Sequence, residues 1–117
     1  MGHVTIEAGL QSPVTGERLV VEALIDTGAT FTTLPKSVAD RLRLTEVTRR
    51  RVRTASGEEI LPESYVTIDI LGERTTTPVL ISEKMDRALL GVLTLEALAL
   101  KVDPRTGKLE KTELLLL

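Results

Sequence analysis

Hydrophobic and polar positions alternate along much of this chain, the pattern of strands that bury one face. Val4-Thr5-Ile6-Glu7-Ala8 is the first such stretch. The turn cluster Ser12-Pro13-Val14-Thr15-Gly16-Glu17 separates it from an apolar, β-rich run, Arg18 to Ile25. Together they read as a hairpin that delivers the chain to Asp26. Thr27, Gly28, Ala29 and Thr30 are too small and polar for a core strand. Phe31 to Leu34 resumes an extended run, and Pro35 stops it.

The period changes at Lys36 to Leu44, where Val38, Ala39 and Leu42 share a helical face and Ser37 is a candidate cap. Residues 47–55 and 60–71 then predict two strands joined through Ala55-Ser56-Gly57-Glu58-Glu59. Gly72-Glu73 is a turn, and Thr75 to Ile81 predicts a further strand. After Leu89-Leu90-Gly91, Thr94 to Leu100 predicts a second short helix with Thr94 as N-cap. Asp103-Pro104-Arg105-Thr106-Gly107 is a turn signal, so Leu100–Val102 and Lys108–Leu117 form a last hairpin. The expected fold class is all-β, mostly strand with two short helices, in one domain spanning residues 1–117.

Composition sharpens this picture. With aromatics at 2 % and hydrophobics at 42 %, the core must be aliphatic, and Val, Ile and Thr suit pleated surfaces. The net charge of −2, with both signs interspersed, gives no reason to expect nucleic acid or a membrane as partner. The basic cluster Arg49-Arg50-Arg51 and Arg53 has no interleaved aromatic or glycine-rich partner, and reads as a solvated surface. Without cysteine there is no disulfide, thiol nucleophile or zinc-thiolate site. The single histidine, His3, gives a Ser-His pair no support. No apolar run reaches the roughly 18 residues of a span, and no signal-peptide pattern is present, so a cytoplasmic location is expected.

The informative stretch is Ala23-Leu24-Ile25-Asp26-Thr27-Gly28-Ala29-Thr30. A carboxylate directly after an apolar strand sits where the chain leaves the core. Gly28 permits a tight turn and close approach by another backbone, and Thr27 brings a hydroxyl beside the carboxylate. Taken alone, Asp-Thr-Gly is equally an ordinary Asx-turn.

Two motifs carry a resemblance. Leu24-Ile25-Asp26-Thr27-Gly28-Ala29, and Leu89-Leu90-Gly91 opening a helix near the C-terminus, resemble the two signatures of the retropepsin-like aspartic proteases. The family comprises the retroviral proteases and their cellular and prokaryotic relatives. The resemblance implies a small, closed β-barrel-like fold, half of a two-fold dimer, acting as an aspartic endopeptidase on peptide or protein substrates with neither metal nor cofactor. It implies that Asp26 is catalytic and that Thr27, Gly28 and Ala29 form the active loop and lock the dimer. Ala55, Ser56, Gly57 and Glu58 would tip a flap, and Leu89, Leu90 and Gly91 would pack behind the active loop rather than touch substrate.

The chemistry needs two carboxylates sharing one proton, because like charges about 3 Å apart cannot both ionise easily. Asp26 is the only aspartate followed by Thr-Gly or Ser-Gly; Asp40, Asp69, Asp86 and Asp103 stand in other contexts. The second carboxylate is therefore expected from an identical chain. The apolar tail Leu114–Leu117 is expected at that interface, as in the family's interleaved termini, the alternative being a strand packed within its own subunit. Thr30 and Phe31 depart from the retroviral pattern, which has acidic residues there, and Val92 stands where an arginine is usual. Two other functions compete: a silent dimerisation or peptide-binding module on the same fold, and a β-domain with a fortuitous turn at Asp26.

Overall fold

The computed structural model describes residues 4–114 and 116. Its first hairpin is β1 (Thr5–Gln11) and β2 (Arg18–Ile25), in full antiparallel register from Thr5↔Leu24 to Gln11↔Arg18. The turn between them closes on Ser12, whose hydroxyl accepts from the N–H groups of Val14 and Thr15. β3 (Thr32–Pro35) leads into helix α1 (Lys36–Arg41). Pro35, with φ −59° and ψ 146°, occupies the N-cap, and no side chain caps the helix. Ser37 thus lies inside the first turn, two places too late to cap. On the helix surface Lys36 bonds Asp40 at 2.9 Å, and that hydrogen bond and charge raise the lysine's pKa.

β4 (Thr48–Thr54) and β5 (Gly57–Ile70) form a long hairpin. Its turn is tighter than the sequence predicts: only Ala55 and Ser56 lie outside the ladder, and Glu58 and Glu59 pair with Arg53 and Val52. Two features allow this. Gly57 adopts φ +122°, a region that favours glycine. The Thr54 hydroxyl accepts from the N–H of Ser56 and donates to the carbonyl of Gly57. β5 continues into pairing with β6 (Glu73–Ser82) only from Glu63 onward, so the hairpin tip extends beyond the rest of the sheet.

β7 (Ala88–Leu90) has no alternating pattern of its own and was not expected as a strand. Its neighbours impose it: β7 runs parallel to β2 and antiparallel to β3. The order β1-β2-β7-β3-β6-β5 closes on itself because Gly9–Gln11 pair with Thr67–Asp69 of β5. β4 hangs on the outside of this six-stranded ring. A separate pair, β8 (Leu100–Val102) and β9 (Leu109–Lys111), forms the last hairpin.

The core is aliphatic, as the composition requires. Ala8, Leu10, Ala23, Leu34, Val66, Ile68, Ile70, Val79 and Leu90 fill the ring. Leu42 beside α1, and Leu95 and Leu98 in and beside α2 (Val92–Ala97), close its ends. The N-cap of helix α2 lies three residues earlier than expected. Gly91 is its N-cap, and Thr94, expected at that position, is a fully buried residue inside the helix. A hydroxyl there needs partners. Thr94 Oγ1 lies 2.6 Å from Thr32 Oγ1 and 3.4 Å from Thr77 Oγ1, tying α2 to β3 and β6.

Replacing this hydroxyl by a methyl leaves its neighbours short of a partner in a dry site. Thr94→Val is expected to lower stability by about 1–3 kcal/mol, read as a shift in urea midpoint, while Thr94→Ser retains most of it.

Candidate active site

Asp26 follows β2 at the point where the parallel pairing with β7 runs out. Its backbone N–H donates to the carbonyl of Leu90 at 3.0 Å, one step beyond the last paired residues, Ile25 and Leu90. The chain then turns. The N–H of Ala29 donates to the Asp26 carbonyl at 3.1 Å, and that of Gly28 to Asp26 Oδ1 at 2.9 Å. The Asx-turn is therefore present, and it orients the carboxylate rather than competing with a role for it. A Cβ on Gly28 would stand 3.2 Å from that same oxygen.

The loop is held from below by the second motif. Val92 and Leu93 donate their N–H groups to the carbonyls of Ala29 (2.8 Å) and Thr30 (3.0 Å). Gly91 donates to Thr32 Oγ1 at 3.1 Å. Here the backbones approach so closely that a Cβ on Gly91 would lie 2.5 Å from the carbonyl carbon of Phe31 and 2.7 Å from the Thr30 oxygen. Real Cβ atoms do not come so near. The two motifs, remote in sequence, are one packed object.

Asp26, Thr27 and Gly28 remain exposed on top of it. Among the described residues the Thr27 hydroxyl has no hydrogen-bond partner. Asp26 opens onto a cleft of about 750 Å³ between its loop and the β4–β5 hairpin. Ala55 and Ser56 at the hairpin tip line this cleft; Gly57 and Glu58 do not. Leu90 and Gly91 are buried behind the loop, but Leu89 is half-buried and stands in the cleft wall, contrary to the expectation that all three sit behind it. Among the described residues no three acidic or histidine side chains converge as a metal site.

Residues 13–97 match the model of a family described as "gag-polyprotein putative aspartyl protease". The chain belongs to this family. It is an aspartic-type endopeptidase, and its fold is that of the retroviral enzymes. The EIAV protease, solved with the inhibitor HBY-793, is 19 % identical with TM-score 0.68, over 98 % of this chain and 94 % of that one. The solution structure of simian foamy virus (mac) protease is 24 % identical with TM-score 0.59, over 81 % of this chain and 94 % of that one. No curated protein sequence matches the chain.

The protease cleft also holds residues to which the sequence assigns no part in the site. Phe31, Arg50, Glu59 and Lys84 all line it. Lys84 bridges to Glu59 at 3.0 Å, joining the segment after β6 to the hairpin. Arg50, Val52 and Thr54 alternate along β4, and all three line the cleft, so the period of two could have flagged Arg50.

Gly91→Ala would drive a methyl into the Phe31 and Thr30 backbone, which cannot yield without moving the Asp26 loop. The expected cost is about 3 kcal/mol or more, the upper range for overpacking, with peptidase activity lost in step; urea unfolding and peptide turnover measure the two effects.

Proposed function

We propose that the protease works as a homodimer in which two Asp26 carboxylates, one per subunit, face each other across a two-fold axis and activate a water between them. The observation that carries this reading is the solitary, exposed Asp26 on a loop clamped at both ends. The other carboxylate lining the cleft, Glu59, is engaged with Lys84. A second copy supplies the missing partner by symmetry.

With one proton shared by the pair, the ionised carboxylate takes a proton from the water as it attacks the scissile carbonyl. The protonated carboxyl donates to the carbonyl oxygen, so the tetrahedral intermediate forms without a free oxyanion. Return of a proton to the amide nitrogen then lets the C–N bond break. The exposed hydroxyl of Thr27 suits a bond to the partner's loop, and the Gly28 carbonyl suits a bond to the substrate backbone. The hairpin tip at Ala55 and Ser56 would close over the peptide. Leu114 and Leu116, at 70 % and 98 % exposure, are apolar surface that a neighbouring subunit would cover. Leu115 and Leu117, which belong to the same expected interface, lie outside the described residues.

Asp26→Asn keeps the size of the side chain but removes the shared proton. It is expected to reduce peptide cleavage by at least about a hundredfold while sedimentation still shows a dimer; turnover near the wild-type rate would sink the mechanism.

A further inference from the structure

The arginines at 49–53 are not one solvated cluster. Arg49 turns to Glu46, with 3.2 Å between Nη2 and Oε1, whereas Arg50 faces the cleft. Arg50 is held on two sides. Its Nε donates to Glu63, whose side chain is only 4 % exposed, and its guanidinium carbon stands 5.0 Å from the centre of the Phe31 ring. The aromatic ring and the buried carboxylate thus hold the guanidinium from two sides.

Only Nε is engaged: among the described residues neither terminal amino group has a hydrogen-bond partner, and the side chain as a whole is 53 % exposed. The other cations of the cleft are placed differently. Lys84 is engaged with Glu59 across the opening, and Arg53, 82 % exposed near the hairpin tip, reaches Glu58 at 3.3 Å. Neither has a buried partner fixing its orientation.

We propose that Arg50 is a specificity-determining residue that selects peptides carrying an Asp or Glu side chain close to the scissile bond. Its terminal amino groups form a planar, forked pair of donors, which matches a carboxylate. Lys84 is already occupied by Glu59 and Arg53 by Glu58, so the preference is expected at the position that reaches Arg50. The assignment rests on the peptidase reading above and adds the class of substrate to it.

The test uses matched peptides that differ only by Glu against Gln, one position at a time on either side of the cut. Binding is read by fluorescence anisotropy on Asp26→Asn protein, which requires no turnover, and cleavage is read in parallel on the wild type. At one position the Glu peptide should bind about tenfold more tightly than its Gln twin, the scale of a hydrogen-bonded charge pair. The ratio should fall to near one when Arg50→Gln is combined with Glu63→Gln, a double change that leaves no buried unpaired charge. Equal binding of Glu and Gln peptides at every position, no binding of either, or a ratio that survives the double change overturns the assignment. If the wild type cleaves nothing while anisotropy still shows the Glu preference, the catalytic reading falls and the role of Arg50 stands.

Discussion

The contact on which the site depends is the approach of Gly91 to the backbone of Thr30 and Phe31, closer than any side-chain-bearing residue permits. It allows Val92 and Leu93 to reach the carbonyls of Ala29 and Thr30, and Gly91 to reach Thr32. With β7 inserted between β2 and β3, the Asp26 loop is fixed by hydrogen bonds that α2 and β7 supply. The carboxylate is therefore positioned by rigid elements although it sits on a turn.

Local periodicity carried much of the fold. β2 spans the run from Arg18 to Ile25 that the apolar pattern marks, and Val66, Ile68 and Ile70 bury the face that alternation assigns them. What local pattern could not carry is whatever depends on a distant partner. Ala88-Leu89-Leu90 is a strand only because two other strands flank it. Thr94 looks like a cap because it is polar beside a leucine-rich run; it is buried because Thr32 and Thr77 supply its hydrogen bonds. Pro35 reads as a stop, and its fixed φ also makes it the entry to α1, displacing Ser37 from that role.

The site divides in the same way. Asp26 is legible because its neighbours form a motif contiguous in sequence. Arg50, Glu59 and Lys84 are not, because which way each points follows from the register of β4 on β5 and from the path of the chain after Ser82. The acidic residues that follow the motif in retroviral enzymes are replaced here by Thr30 and Phe31. The Phe31 ring serves instead as a platform for a cation. A cation held by a buried carboxylate one strand away thus enters this cleft from the hairpin side.

Because the Asp26 loop is shaped by residues 90–93, more than sixty positions later, it cannot take its form until those residues have been made. Such distant contacts are slow to close and arrive late in folding. A ribosome-bound chain that has exposed its Asp-Thr-Gly still lacks the segment that bends it into place. Synthesis itself therefore delays the hydrolytic potential of this protein until that segment has emerged.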